Sequence, residues 1–382
     1  MSAQPAAGPA AARRLDWVDA GRGLAIALVA LFHSTNWLRA AKVDVDGWTQ
    51  FSVVVSSLRM PLFFTISGLF AAKWIRGAWR PLWTHKLRLY LWVFLLWGLV
   101  GSFTYWLGVT MKDQGSLKAS VIKPYLMSPV VPRLELWFIW ALALYFILAK
   151  LTRRIPVPLQ IGVAAAASVF ALSGWDTRSP GWDGGVKYYA FFLVGLYWRE
   201  LVIRVGATPR KAALGAVFVL WAVVAVGLWA AGLREVLGLY FVNCVLGVLA
   251  GIGLSRVLAG WAGLRSLGSK TLPVYVAHTP IAIVCAFLVS LTPMPAFAWS
   301  GLVLPPLVAL VAILASLALH RVAQQRGAGW LYAPPRWFDV PPRRAAAVAD
   351  VVAPAVPAVP AEVVAVSGTR PADPTTGAPS AG

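Results

Sequence analysis

The stretch VDAGRGLAIALVALFHSTNWL, residues 18–38, is largely apolar and is interrupted by three ionisable side chains, Asp19, Arg22 and His33. About 20 apolar residues are enough for a helix to cross the hydrocarbon core of a bilayer. An ionisable side chain inside such a helix is costly and commonly functional. The stretch therefore predicts a first transmembrane helix that carries functional residues.

The same composition extends over the whole chain. Of its 382 residues, 59% are hydrophobic and 13% charged, and the mean hydropathy is +0.71. Soluble globular domains are about half apolar and about a quarter charged, so a water-soluble enzyme is excluded. Apolar runs between charged or Pro/Gly-rich breaks predict an all-α, polytopic membrane protein with about ten transmembrane helices. The predicted spans are 18–38, 50–72, 88–110, 134–150, 158–173, 186–203, 212–231, 236–255, 272–292 and 301–319.

The basic residues indicate how the chain is oriented. The formal net charge is +20, and Lys and Arg lie mainly in short gaps between the apolar runs, which membrane topology explains better than nucleic-acid binding. The loops on the N-terminal side hold more of these residues than the opposite loops, which predicts that both termini are cytoplasmic. Residues 1–16 are then a cytoplasmic segment, 17–320 the membrane domain, and 321–382 a Pro/Ala-rich, largely disordered cytoplasmic tail.

The ionisable residues of the first two spans predict a polar site inside the membrane. Arg22 and His33 share one face of the first helix, about 16 Å apart along its axis, and Asp19 lies where it can orient Arg22 through an ion pair. Arg59 in the second span has nearly the depth of His33, and a buried guanidinium implies a polar cavity beside the histidine. The alternative is an arginine that snorkels to the interface.

Two further groups lie near the cytoplasmic surface. Lys86 and Arg88, at the entrance of the third span, could bind the phosphates of a nucleotide-containing donor, although the positive-inside rule alone accounts for several cations here. In LGSKTLPVYVAHTPI, residues 267–281, Lys270 lies at the inner surface and Tyr275 and His278 share a helix face. We expect His278 in the cytoplasmic third of the ninth span, either as a functional group or as a hydrogen-bonded packing residue.

An outer loop is predicted at 174–187, which reads GWDTRSPGWDGGVK. Its aromatic residues and carboxylates, Trp175, Asp176, Trp182 and Asp183, could contact a sugar. The alternative is that this segment is simply a turn.

Four sequence blocks resemble the membrane acyltransferase-3 family. Asp19, Arg22, Gly23, Ala25 and His33 are similar to the first-helix signature of that family, in which ten residues separate the arginine from the histidine. The other blocks are PLFFTISGL at 61–69, LWFIWAL at 136–142 and LGSKTLPVYVAH at 267–278. The chain departs from the family where two arginines three apart are common, since His85 and Arg88 stand there. Glu135 stands where relatives often have histidine, so the resemblance assigns it no site role.

The resemblance implies an integral O-acyltransferase of the bacterial inner (plasma) membrane. Such an enzyme takes an acyl group, usually acetyl, from cytoplasmic acyl-CoA to a hydroxyl of an extracytoplasmic glycan, glycolipid or other envelope molecule. The implied partners are acyl-CoA, a glycan or lipid-linked acceptor and the bilayer, with no nucleic acid, no metal and no permanently bound cofactor.

The predicted roles follow from this reaction. His33 serves as the base, in direct transfer or through an acyl-histidine relay, with Arg22 as its essential partner and Arg59 as the stabiliser of the oxyanion. The predicted donor-binding residues are Arg22, Lys86, Arg88, Lys270, Tyr275 and His278. The residues alone leave a second class open, a polytopic transporter or lipid flippase that uses His33, Asp19 and Arg59 as a relay, and a scaffold without catalysis is a third.

Overall fold

The computed structural model describes residues 15–111, 122–132, 135–208 and 210–338 of the chain, and these residues form helices and no strand. They belong to one compact unit, Met1–Asp339, whereas the second unit, Val340–Gly382, lies outside the described residues together with most of the predicted tail. The α-helices are α1 Asp16–Ala40, α2 Asp46–Gly68, α3 Ala72–Arg76, α4 Trp79–Leu82, α5 Arg88–Met111, α6 Lys123–Met127, α7 Trp137–Leu151, α8 Val157–Leu172, α9 Pro180–Tyr197, α10 Arg199–Ala207, α11 Lys211–Ala230, α12 Leu239–Val257, α13 Ala262–Ser269, α14 Thr271–Ser290 and α15 Ser300–Gln325.

Each predicted span overlaps at least one of these helices. Not every one of the overlapping helices is long and apolar enough to cross a membrane. Within the described residues, six helical segments are long and apolar enough to cross a membrane. They are Asp46–Gly68, Trp79–Trp106, Ala212–Ala230, Leu239–Gly260, Thr271–Ser290 and Ser300–Gln325. The helices α7 and α8 are apolar but shorter. The count of about ten spans and the cytoplasmic position of both termini therefore stay predictions.

Two boundaries differ from those predicted. The segment 186–203 is divided, because α9 ends at Tyr197 and α10 begins at Arg199. The segment 174–187 is a loop only as far as Ser179, and its second half forms the first turns of α9. The helix begins there because Pro180 stands in the first turn, where its fixed φ suits the helix and its missing N–H costs nothing.

The last helix, α15, continues past the predicted domain boundary at residue 320 and ends at Gln325. Beyond it, Tyr332 is only 5% exposed. The indole Nε1 of Trp97 donates a hydrogen bond of 2.7 Å to the carbonyl of Leu331. The packed part of the chain thus includes residues beyond the last predicted span.

Helix ends meet on two faces. We call the first the N-terminal face. There Lys150 Nζ at the end of α7 donates to the carbonyl of Trp74 at 2.9 Å. Arg199 Nε, directly after α9, donates to the carbonyl of Leu69, directly after α2, at 3.2 Å. On the other, the opposite face, Trp48 Nε1 near the start of α2 donates to the carbonyl of Leu302 near the start of α15 at 2.9 Å. Successive long helices therefore run in alternate directions between the two faces.

Glycines bring the central helices together. A Cβ atom at Gly195 of α9 would collide with the backbone carbonyl of Thr65 in α2, and one at Gly268 of α13 would collide with the carbonyl of Asp19 in α1. Small residues allow this close approach of helices in membranes. The contacts place α1 and α2, which carry His33 and Arg59, in the interior of the helical assembly.

Candidate active site

A cavity of about 540 Å³ lies between α1, α2, α7, α9 and α14. We call it the His33 cavity. His33, Arg59 and Tyr275 line it, as do Glu135, Asp183 and Lys187. It lies toward the opposite face, because the last turns of α1 and the first turns of α9 contribute to its wall.

His33 is half-buried, and its ring borders the cavity rather than lipid. Its ring centroid lies 5.0 Å from that of Phe32 and 5.2 Å from that of His278. Among the described residues no side chain or backbone group forms a hydrogen bond with the His33 ring. The imidazole is therefore available to a ligand in the cavity.

His278 is fully buried and does not line the cavity. Its Nδ1 lies 2.9 Å from the carbonyl oxygen of Val274, and its Nε2 lies 3.1 Å from the hydroxyl of Thr279. A carbonyl oxygen can only accept, so Nδ1 carries the proton and the neutral ring accepts the Thr279 hydroxyl at Nε2. His278 is thus held in one tautomer and one orientation beside His33.

The sequence places His278 in the cytoplasmic third of its span and His33 in the outer half of the bilayer, and this separation is wrong because their rings are in contact. The reason is the position of α13, whose Gly268 packs against the backbone of Asp19 in α1. Consequently α14 begins close to the first turns of α1 and then packs along it, which lets the His278 ring reach the His33 ring.

Arg59 is only 6% exposed and lies inside the protein, as the predicted polar cavity requires and unlike a snorkelling arginine. Its guanidinium carbon lies 4.4 Å from the centroid of the Phe32 ring, and its Nη1 donates to the carbonyl of Leu28 at 3.4 Å. The Nε atom is buried without a hydrogen-bond partner. Nη2 forms no hydrogen bond with the described residues, so Arg59 keeps donor capacity for a ligand in the cavity that it lines.

Tyr275 belongs to the same cavity, not to the cytoplasmic group in which it was predicted. Its hydroxyl donates a hydrogen bond of 2.8 Å to the backbone carbonyl of Glu135. The side chain of Glu135, to which the resemblance assigned no role, also lines the cavity. Its position directly before the LWFIWAL block was the signal that could have identified it.

Arg22 and Lys86 come together on the N-terminal face, away from the cavity. The Arg22 guanidinium carbon lies 4.6 Å from the Phe70 ring centroid, and Asp19 supplies the main opposite charge. The positive charges of Arg22 and Lys73 both act on Lys86. We call Arg22, Lys73 and Lys86 the Arg22 cluster.

The remaining predicted donor residues also lie near this face. Arg88 begins α5 directly after a π-helical turn, Trp83–Leu87, and Lys270 is exposed at the end of α13. Neither lines the His33 cavity. The structure therefore divides the predicted site into two groups, one around His33 and one around Arg22, with α1 common to both.

Sequence reasoning missed Lys187 on α9. Of the four residues predicted to meet a sugar, only Asp183 lines the His33 cavity. The indole Nε1 of Trp182 instead donates to the carbonyl of Val130 at 2.8 Å. Lys187, one turn after Asp183 on α9, lines both the His33 cavity and a second cavity of about 390 Å³.

Within the described parts of the chain, no group of three or more His, Cys, Asp or Glu side chains could hold a metal ion. The neighbourhood of the His33 cavity consists instead of two imidazoles, a guanidinium, an ammonium group, two carboxylates and aromatic rings. These groups suit polar organic ligands and proton transfer.

Comparison with known proteins identifies the family of the chain. A family model described as an acyltransferase domain matches residues 15–321, which include both groups of residues. Inner membrane protein YcfT of Escherichia coli (strain K12) is 23% identical over 348 residues, which cover 84% of this chain and 96% of the relative. No solved structure matches. Together with its apolar helices, these matches identify the chain as a multi-pass protein of the bacterial inner membrane that belongs to the acyltransferase-3 family.

Proposed function

We propose that this protein transfers an acyl group, most simply acetyl, from cytoplasmic acyl-CoA to a hydroxyl of an extracytoplasmic glycan, glycolipid or related envelope molecule. The supporting observation is the cavity of about 540 Å³ in which the His33 imidazole is accessible. The same helix carries Arg22 at the N-terminal face of the protein, within a group of cations. Donor and acceptor can therefore approach one helix from opposite sides.

The Arg22 cluster, together with Arg88 and Lys270, is the proposed binding site for the phosphates of the donor. Cations at a protein surface bind phosphate through charge-assisted hydrogen bonds. The distance from Arg22 to His33 along α1 is about 16 Å, which the extended pantetheine arm has to cover. The thioester then reaches the His33 cavity while the nucleotide stays at the N-terminal face.

Acyl transfer at His33 needs no reagent other than the donor and the acceptor. The imidazole takes the proton of the acceptor hydroxyl while the hydroxyl oxygen attacks the thioester carbonyl carbon. The carbon–sulfur bond then breaks, and the thiolate leaves with the proton from His33. Arg59 stabilises the negative charge that develops on the carbonyl oxygen.

Tyr275 and His278 support this site from α14 in the proposed mechanism. His278 packs against the His33 ring with its own hydrogen bonds satisfied inside α14. Tyr275 fixes α14 to the segment before α7 through its bond to the Glu135 carbonyl. Both are positioning residues in this proposal, which replaces the donor-binding role predicted from their place in the sequence.

The proposal is tested by acyl transfer in membranes that contain the full chain. Radiolabelled acetyl-CoA is supplied on the cytoplasmic side of inverted vesicles, and label is counted in the lipid and glycan fractions. We expect His33→Gln to lower incorporation by at least about 100-fold. The matched control His320→Gln removes a histidine that lines neither cavity and should leave incorporation unchanged.

Full incorporation by His33→Gln would refute His33 as the base. A transporter or flippase would move a labelled headgroup across the membrane without covalent change, and no acyl label would enter either fraction. Comparing envelope lipids and glycans by mass between a deletion strain and its parent then identifies the acceptor, because the enzyme adds the mass of one acyl group.

A further inference from the structure

A second cavity, of about 390 Å³, adjoins the His33 cavity on the opposite face. The two share Phe32, Asn36, Arg59, Lys187 and Tyr188 in their walls. The second cavity extends from these residues to the loop between α11 and α12. A ligand that occupied it would lie beside the residues around His33 and far from the Arg22 cluster.

The walls of this second cavity carry excess positive charge. Arg59, Lys187 and Arg234 line it, against one carboxylate, Glu235. Among the described residues, none of these three cations is within 4.0 Å of a carboxylate oxygen. Uncompensated cations around a cavity favour an anionic ligand.

A nearby acid is engaged elsewhere. Asp176 is close enough to Lys187 for their charges to interact, but its carboxylate accepts a 2.6 Å hydrogen bond from the backbone N–H of Arg178. This hydrogen bond lowers the pKa of Asp176, which stays ionised at neutral pH. Asp176 does not line the cavity and forms no ion pair with Lys187, so it offsets the charge of Lys187 only from outside the wall.

Arg234 is held in position before any ligand arrives. It lies in the turn Leu233–Glu235, between two glycines with left-handed backbone, Gly232 at φ 67° and Gly238 at φ 83°. Its guanidinium carbon lies 4.5 Å from the centroid of the Tyr240 ring. A side chain already fixed in this way loses little conformational freedom on binding.

A hydrogen bond completes this arrangement. Arg234 Nη2 donates to the hydroxyl of Ser56 at 3.2 Å, and that hydroxyl is also 2.5 Å from the hydroxyl of Tyr240. The other guanidinium donors of Arg234 remain for a ligand. Planar guanidinium groups suit phosphate and carboxylate because two N–H groups can donate to two oxygens at once.

We propose that the second cavity is an anion site for the acceptor, in which Lys187 and Arg234 bind a phosphate or carboxylate next to the hydroxyl that is acylated. The identification of the ligand as the acceptor rests on the proposed function, but the anion site itself does not. The site is separate from the one proposed for the phosphates of the donor, because it lies on the opposite face. Neutral sugars are then poor acceptors.

Binding is measured with the purified full chain in detergent micelles, without acyl-CoA, and Lys73→Gln/Lys86→Gln is titrated in parallel so that anion binding at the Arg22 cluster can be subtracted. Thermal unfolding is followed by the fluorescence of the 20 Trp residues during titration with inorganic phosphate, dodecyl phosphate, glucuronate or glucose, at constant ionic strength. We expect the anions to raise Tm at concentrations at which glucose does not. Dodecyl phosphate and glucuronate distinguish a lipid-linked phosphate from an acidic sugar as the natural source of the charge.

Variants locate the site. Lys187→Gln and Arg234→Gln should each weaken anion binding by about tenfold or more, whereas Arg234→Lys should retain part of it. The matched control Arg178→Gln removes an exposed cation from the same face, outside both cavities, and should bind as the unaltered chain does. Glu235→Gln should strengthen anion binding, because it removes the one carboxylate in the wall.

The proposal is wrong if Lys187→Gln and Arg234→Gln bind anions as the unaltered chain does, or if glucose binds as well as the anions. A chain that binds anions in this pattern but transfers no acyl label would overturn the proposed function and leave the anion site standing. The reverse result, acyl transfer without anion binding, would overturn the site alone.

Discussion

The imidazole rings of His33 and His278 lie edge to face, 5.2 Å apart between centroids, although they come from the first and the fourteenth helix of the chain. His33 borders the cavity, whereas His278 is buried behind it with both ring nitrogens in hydrogen bonds. A base whose ring is supported by a second, fixed ring has a defined direction toward its substrate. The two histidines are therefore expected to respond differently to substitution.

The first prediction separates a positioning role of His278 from donor binding. His278→Phe keeps a ring against His33 but removes the hydrogen bonds to Val274 and Thr279. We expect kcat to fall by about tenfold or more through loss of alignment, with the KM for acyl-CoA unchanged. A rise in KM at constant kcat would instead support the donor-binding role, and steady-state kinetics at varied acyl-CoA decides between them.

The second prediction concerns the oxyanion. Arg59→Gln removes the charge that is proposed to stabilise the carbonyl oxygen, and the expected loss in kcat is about 100-fold. Binding of acyl-CoA, measured by equilibrium dialysis, should be unchanged because the Arg22 cluster lies on the other face. If Arg59→Gln loses donor affinity and keeps its kcat, the assignment of Arg59 is wrong.

The third prediction tests the crossing of α2 and α9. Gly195→Ala would push a methyl group into the carbonyl of Thr65, and we expect it to lower Tm and to distort the cavity walls on α9. Overpacking of this kind costs about 1–3 kcal/mol. Gly215→Ala in α11 is the control, because a Cβ there meets nothing within 4 Å and should be neutral or slightly stabilising. Equal Tm values for both variants would contradict the close contact.

The fourth prediction concerns a buried lysine. Lys150 is 2% exposed, and its ammonium donates to three carbonyls after α2, those of Trp74 at 2.9 Å, Ile75 at 3.3 Å and Gly77 at 2.7 Å. Lys150→Met removes this donor and leaves the carbonyls of Ile75 and Gly77 with only the long 3.5 Å hydrogen bonds from Arg153, so we expect a loss of about 3 kcal/mol in stability. Thermal unfolding measures it, with the exposed Arg154→Met as control. An unchanged Tm would show that water replaces the lysine at no cost.

The fifth prediction tests which face of the protein lies on the cytoplasmic side of the membrane. In a background with Cys244 and Cys285 replaced by Ala, single cysteines at Arg178 and Arg80 place one thiol on each face. An impermeant maleimide added to intact spheroplasts should label Arg178→Cys directly and Arg80→Cys only after the membrane is permeabilised. The reverse pattern would show that the positive-inside rule misassigned the two sides.

The sequence predicted the helical class of the fold and the separation of Arg22 and His33 along one helix because both depend on local patterns. A run of apolar residues predicts a helix wherever it stands, and Arg22 and His33 lie on one helix, so their separation follows from the helical rise. Arg59 was placed beside His33 for a similar reason, since the two have comparable depth in consecutive spans.

Contacts between distant helices could not be predicted in this way. The position of His278 depends on how α13 packs against α1, and that packing requires glycines on both helices, Gly268 of α13 and Gly23 of α1. Lys187 and Arg234 line one cavity because α9 begins earlier than its apolar run and because two left-handed glycines shape the turn before α12. Neither feature has a periodic signal in the sequence.

Because Arg22 and His33 belong to one continuous helix, α1 keeps the distance between them constant. In the proposed mechanism, a thioester carrier anchored at Arg22 delivers its reactive carbon at a distance set by the ten residues between Arg22 and His33, whatever the surrounding loops do. Selection among carriers would therefore act on the reach of the arm, and an insertion of four residues would lengthen that reach by about 6 Å while turning His33 only slightly around the helix axis.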